Sequence, residues 1–446
     1  MKDRKKKIKE LKSSIEKHET ELFEALKTDL NKSESESLLH EIYPLKKEVE
    51  FILSNLHHWT DKRIANTPIA LIGTSHYVQA EPKGRVLIIS PWNFPVILTL
   101  RPLFSAIAAG NTVVVKPSEH TPNCSHVIKN IIESVFTKDE VRVVTGGPKV
   151  AAKLTKEPFD HICFTGGTEI GKLVMKAAAE TLCSVTLELG GKSPTIVDST
   201  ANLKETAKRV AWGRFLNAGQ VCIAPDYLLI EEKNAKKFTI EFSRIITSMY
   251  GENPIDSEDL GCIVNEKHFK RIINLIKSAV KDGAKLHVPG GVLELGAKKR
   301  KISPCFLTNC TTDMTIMKEE IFGPVLPILT WNNEDDIYDI IELNRNPLAL
   351  YIFSNNRNNI KKYIANTKAG STAINDVVIQ IVNPELGFGG IGNSGMGRSN
   401  GKAGFDEFSN LRSFVDSKGM INALPLTFPP FTGFKKSLVR FISKWL

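Results

Sequence analysis

Apolar positions recur along the first sixty residues at intervals of three and four: Ile8, Leu11 and Ile15, then Leu22, Leu26 and Leu30, then Val49, Ile52, Leu53 and Leu56. Polar residues fill the positions between them, so the segment predicts two amphipathic helical stretches, each needing a partner surface. The pattern changes at Val86. From there short β-branched runs, Val86 to Ser90, Thr112 to Lys116, Arg142 to Thr145 and His161 to Phe164, alternate with stretches long enough for crossover helices. Runs so short and so apolar suit strands covered on both faces, which predicts a Rossmann-like parallel α/β sheet. A second α/β series follows Glu188, with Thr195 to Val197 and Tyr227 to Ile230 as strands and Phe269 to Val280 as a helix. Before the first sheet, Ile64 to Gln79 has strand-like residues broken by Pro68 and Gly73, and predicts a hairpin outside the main sheets. At the far end a proline-rich bend, Pro425 to Pro430, sets off a last segment. There Leu438, Phe441, Ile442 and Trp445 recur at helical spacing with Lys435, Lys436, Arg440 and Lys444 mostly between them, a short basic amphipathic helix.

A chain of 446 residues, 42% hydrophobic and 24% charged, can bury a large core and exceeds one ordinary domain, so two or three are expected. The formal charge of +10 changes little, because basic and acidic residues are interleaved and the excess gathers near the ends. With neither zinc-finger spacing nor an aromatic-plus-basic signature, no nucleic-acid partner is expected. Seven cysteines without regular spacing, behind a lysine-rich start, point to a reduced, cytoplasmic protein. Cys305 and Cys310 lack further ligands nearby, so no metal is expected. No run reaches the ~18 apolar residues of a membrane span.

The segment Asn217-Ala218-Gly219-Gln220-Val221-Cys222 sets a cysteine among small and polar residues. A nucleophilic thiol needs access, which this setting offers, yet taken alone the segment also describes an inert half-buried thiol. Five further segments change that balance: Pro91-Trp92-Asn93-Phe94-Pro95, Lys116-Pro117-Ser118-Glu119, Phe164-Thr165-Gly166-Gly167, Leu187-Glu188-Leu189-Gly190-Gly191-Lys192 and Glu319-Glu320-Ile321-Phe322-Gly323-Pro324. Together, and in this order, the six resemble the motifs of the aldehyde dehydrogenase superfamily, most closely its class 3 branch, over nearly the whole chain.

The resemblance implies an aldehyde dehydrogenase fold: a Rossmann-like cofactor domain at 1–62 and 83–187, a second α/β catalytic domain at 188–404, a small bridging β element at 63–82 and 405–418, and a tail at 419–446. It implies oxidation of an aldehyde to the acid with NAD, and with NADP as a second cofactor. Cys222 would form the thioester, and the Asn93 amide with the Cys222 N–H would stabilise the oxyanion by ~3–4 kcal/mol. Glu188 would activate water, its apolar neighbours raising its pKa, although an ion pair with Lys192 is an alternative role. A glutamate here favours hydrolysis over acyl transfer to coenzyme A. Trp92, Lys116, Glu119, Gly166, Gly167, Glu320 and Phe322 would hold the cofactor. Gly167 stands where the family often has serine, and Glu119 would favour NAD mildly by facing the ribose 2′-hydroxyl. Phe94, Val221, Ile223 and Phe388 would form an apolar funnel for a hydrophobic, aliphatic or aromatic aldehyde. Near Phe388, Gly387 replaces the family's usual proline, and Asn400 stands where class 3 members usually have histidine. The implied partners are a small-molecule aldehyde and a second copy in a homodimer. The tail would dock on its own subunit or the dimer partner, cover the substrate entrance, or make weak contact with an anionic membrane surface.

Overall fold

The computed structural model describes residues 2–68, 71–417 and 428–445. Its centre is a six-stranded sheet ordered Gly395–Met396, Ser184–Leu189, His161–Gly166, Arg85–Ile89, Thr112–Lys116 and Val141–Val143, parallel except for the first. The β-branched runs predicted as buried strands are these strands, and Val86, Leu87 and Ile88 are fully enclosed. Helix Ile97–Ala109 crosses between two of them. Every residue in it but Leu98 is buried, including Arg101, its only charged one.

The early segment forms three main helices rather than two. Helix Lys2–Lys17 ends because His18 leaves helical values (φ −99°, ψ 15°) and turns its ring nitrogen Nδ1 to Ser14 O at 2.8 Å. Helix Glu19–Leu30 ends at Asn31, which takes a left-handed φ of 54°, tolerable for asparagine. A π-helical turn, Leu38–Ile42, then leads into helix Tyr43–Thr60. The apolar faces of these helices share one core with helices Ile97–Ala109 and Pro122–Glu133, the partner surface their pattern required.

The hairpin is present as Arg63–Ala65 against Ser75–Pro82, and a third strand, Ser409–Asp416, joins it from the other end of the chain with Ser413 opposite Val78. A seven-stranded sheet makes up the rest, ordered Lys285–His287, Cys305–Thr308, Val325–Trp331, Tyr227–Glu231, Pro194–Val197, Ala349–Phe353 and Ser371–Ile374. Both strands predicted after Glu188 lie at its centre, and helix Glu266–Lys281 contains the predicted helical stretch. The tail is helical over Gly433–Trp445. Pro425, and the side chains of Ile442 and Trp445, lie outside the described residues.

Candidate active site

The cysteine loop owes its shape to an unusual backbone. Asn217, Ala218 and Gly219 take left-handed φ values in succession, 49°, 53° and 76°. A Cβ on Gly219 would lie 2.3 Å from Gly323 O, so only glycine fits. Gln220 pins the turn, its Nε2 donating to Asn217 O and Cys262 O and its Oε1 accepting from Val264 N.

Asn217 stitches this loop to the one that carries Asn93. Its Nδ2 donates to Asn93 O at 2.8 Å, and Asn93 Nδ2 donates in turn to Gln220 O at 3.1 Å. Beneath the second loop lies a fully buried ion pair, Lys32 with Glu41 at 2.7 Å. Lys32 Nζ also donates to Asn93 O at 2.9 Å and stands 4.0 Å over the Phe94 ring, while Glu41 Oε2 accepts from Val96 N and Ile97 N. A buried pair survives only when its remaining valences are satisfied, as they are here.

Two cavities meet at Cys222, sharing only Leu98 and Cys222 among the described residues of their linings. The smaller, about 210 Å³, brings together Trp92, Asn93, Gly166, Gly167, Glu188, Glu320 and Phe322. The larger, about 390 Å³, has Phe94, Val221 and Ile223 in its walls with Tyr43, Trp212, Val378 and Val382. Phe388 lines neither cavity. It is buried, exchanges backbone hydrogen bonds with Ser399, and belongs to the core. A Cβ already present at position 387 would meet Ala403 Cβ at 2.9 Å, so the glycine there is closely packed. Asn400, at φ 72°, is buried and donates to Ile381 O.

The electrostatics around the thiol oppose its ionisation. Burial raises the Cys222 pKa far above the ordinary thiol range, the carboxylates of Glu320 and Glu188 raise it further, and the N–H groups of Cys222 and Ile223 oppose them. At neutral pH the resting group is the thiol, and attack requires a proton acceptor. Glu188 sits on its strand between Thr165 and Gly395. Burial raises its pKa as well, while Ser399, Arg101 and Thr165 draw it down. One of its oxygens, Oε1, is enclosed without a hydrogen-bond partner. Lys192 is not its partner: that ammonium pairs with Asp226 and donates to Ile316 O and Glu319 O.

On the far side of the small cavity, burial and Asp226 lift Glu320 to about 8 against the pull of Lys192. Its carboxylate closes on Gly190, where a Cβ would lie 2.2 Å from Oε2. Trp92 meets Phe322 edge to face at 5.3 Å, and His268 lies 5.5 Å from Trp92. Gly167 begins helix Thr168–Ala179 and has nothing within 4 Å of its Cβ position. No side chain caps this helix start, and Gly167 lines the smaller cavity, so the uncapped N–H groups of the first turn are available to an anion there. Lys116 and Glu119 stand apart from both cavities. Lys116 Nζ donates to Glu119 Oε2 at 3.0 Å, and Glu119 borders a separate pocket with His126, Lys129 and Gly146. Burial works against the charge on Glu119, yet its own N–H, Lys116 and His120 keep its pKa below the ordinary carboxylate range.

The sequence patterns missed Lys32, Glu41 and Arg101. Arg101 had a visible signal, as the lone charge in an otherwise apolar helix. The other two did not, because the loop they hold, from Asn93 to Ile97, lies far along the chain.

Comparison with known proteins gives one answer. The model of the aldehyde dehydrogenase family matches residues 1–414. The 4,4'-diaponeurosporen-aldehyde dehydrogenase of Staphylococcus aureus is 41% identical over 430 residues, covering 96% of this chain and 92% of that protein. Aldehyde dehydrogenase family 3 member A2 of Mus musculus is 39% identical over 433 residues, covering 97% and 88%. Among solved structures, the substrate-bound state of Staphylococcus aureus AldH superposes with a TM-score of 0.95 at 40% identity, covering 99% of this chain and 95% of that one.

Proposed function

Because the chain belongs to the aldehyde dehydrogenase family and is an NAD(P)-dependent aldehyde oxidoreductase, we propose that it oxidises hydrophobic aldehydes, aliphatic or aromatic, to carboxylic acids through a Cys222 thioester that Glu188 helps to hydrolyse. The observation that carries this reading is Cys222 at the junction of two cavities, with Asn93 and the buried Glu188 carboxylate lining one of them.

An aldehyde arriving through the larger cavity, whose walls are mostly apolar, meets the Cys222 sulfur. As sulfur bonds to the carbonyl carbon, the thiol proton passes to one of the carboxylates that face it, Glu188 or Glu320. The carbonyl oxygen becomes an alkoxide, and the Asn93 amide with the Cys222 N–H donates to it. The residues of the smaller cavity fit NAD(P): the open helix start at Gly167 suits the pyrophosphate, and Glu320 and Phe322 suit the nicotinamide end. NAD(P), when bound, supplies the acceptor for the hydride. The acyl group stays on Cys222 as a thioester. Once the thiol proton has passed on to solvent, water adds to the acyl carbon and its proton moves to Glu188. The adduct collapses with cleavage of the carbon–sulfur bond, the departing sulfur takes that proton back from Glu188, and the acid is released.

Turnover across aldehydes of increasing chain length, with NAD and NADP in parallel and coenzyme A omitted, tests the reading. Acid formation without coenzyme A is expected, whereas product that forms only when coenzyme A is added would reject hydrolysis.

Cofactor choice follows from the Lys116–Glu119 pair, and NAD is the preferred cofactor in this reading. Glu119→Gln removes a carboxylate and leaves the Lys116 ammonium unpaired for a 2′-phosphate. The ratio of kcat/KM for NADP to that for NAD should rise about 3- to 10-fold, the effect of roughly one kcal/mol of charge interaction. An unchanged ratio would place the phosphate elsewhere.

The reading extends to a homodimer, since strand Ser409–Asp416 lies at a sheet edge and exposes Leu411 and Val415, a surface a second copy can cover. Among the described residues no helix is long and apolar enough to cross a membrane. The tail helix, with Phe434 and Phe441 exposed among its basic residues, is read as a cover for the substrate entrance or a weak anchor on anionic lipid. Binding of this kind should release with salt. Co-sedimentation with anionic vesicles at low salt, comparing the full chain with one ending at Pro430, should show more of the full chain bound. Equal partitioning rejects the anchor, and an unchanged chain-length profile rejects the cover.

A further inference from the structure

Arg101 is the one charged residue among the described residues that line the larger cavity. It stands one turn beyond Ile97 and Leu98 on a helix otherwise free of charge, and 4% of it is exposed. Its Nε is enclosed without a partner, and among the described residues nothing accepts a hydrogen bond from any nitrogen of its guanidinium. That is unusual for Nε, because buried donors are almost always paired. Two carboxylates face it through space, Glu48 from helix Tyr43–Thr60 and Glu188, neither close enough for an ion pair. Glu48 instead spends Oε1 on Gly401 N at 2.6 Å. Burial raises the pKa of Glu48, so this acid, which takes no part in the chemistry at Cys222, yields its charge when another anion nears the guanidinium.

We infer that Arg101 is the binding position for a second, acidic group on the substrate. In this inference the cavity takes an oxo acid, an aldehyde whose chain ends in a carboxylate. The carbonyl lies at Cys222, the methylenes lie against Phe94, Ile97 and Leu98, and the carboxylate makes paired hydrogen bonds to the guanidinium. The inference rests on the dehydrogenase reading and replaces its unsubstituted hydrophobic aldehyde with one whose apolar chain ends in an acid. The apolar walls hold the chain, and Arg101 selects its end.

The test uses pairs of aldehydes of equal length, one ending in a carboxylate and the other in a methyl group. The ratio of kcat/KM within each pair is measured on the full chain, on Arg101→Gln and on Arg101→Lys. For at least one length the parent should favour the acid. Arg101→Gln should lower that ratio by about 10- to 100-fold, the range expected for a charge-assisted hydrogen-bonded contact. Arg101→Lys should recover part of it. Each ratio comes from one preparation, so loss of folded enzyme cancels. A parent that never favours the acid, or a ratio unmoved in Arg101→Gln, overturns the inference and leaves the dehydrogenase reading standing. A parallel fall of both members with a shift in the acid limb of the pH profile overturns it too, since Arg101 would then serve Glu188. If the parent oxidises no aldehyde, the dehydrogenase reading falls and takes the inference with it.

Discussion

Cys222→Ala should lower aldehyde turnover on the order of 10⁵-fold or more, the loss typical when a covalent nucleophile is removed. The side chain sits between the two cavities, so its loss removes the atom that bonds to the substrate while the walls on either side remain. Cofactor affinity, read by fluorescence titration, should stay within a few-fold of the parent, because the open helix start at Gly167 and the Lys116–Glu119 pair lie on other elements. Turnover within a few-fold of the parent would end the thioester mechanism. A large loss of cofactor binding would show instead that the substitution had disturbed the left-handed turn from Asn217 to Gly219.

Glu188→Gln should fail differently. It keeps the shape of the side chain and removes the base, so hydrolysis of the thioester should slow by about 10²- to 10⁴-fold. Rapid mixing should show one burst of reduced cofactor per active site, followed by a stalled steady state. Loss of burst and steady state together would assign the Cys222 proton to Glu188 rather than Glu320. The pH profile supplies the sign. Burial holds the Glu188 pKa above that of an ordinary carboxyl, and the base works only when ionised. Parent turnover limited by hydrolysis should therefore fall as pH drops through that raised value, nearer neutrality than a solvent-exposed glutamate would allow. Glu188→Gln should lose this limb.

The sequence made some of this legible and hid the rest for physical reasons. Alternating runs such as Thr112–Lys116 show through because a buried parallel strand leaves little choice of residue. The cysteine loop could be recognised by its motif, but three left-handed residues in a row could not be deduced from one glycine. Strand Ser409–Asp416 pairs with a hairpin far away in the chain, beyond the reach of any local pattern. The Lys32–Glu41 clamp is hidden in the same way, since its purpose shows only when Asn93 folds over it. Phe388 illustrates the opposite error. An aromatic ring in a glycine-rich stretch reads as a pocket wall, yet its backbone bonds with Ser399 turn it into the core.

Among the described residues the two linings share only Leu98 and Cys222, which also bears on inhibitor chemistry. A molecule with an electrophile at its middle, a nicotinamide-like ring at one end and an apolar chain at the other could place each part in its own chamber. Once one end is seated, the other binds at an effective concentration near the millimolar range, so the joined compound can exceed either half in affinity by about 10²- to 10⁴-fold. Its length would be set by a single cysteine and a single leucine. Enlarging Leu98 to phenylalanine would then distinguish a compound that threads the gap from one that fills a single chamber.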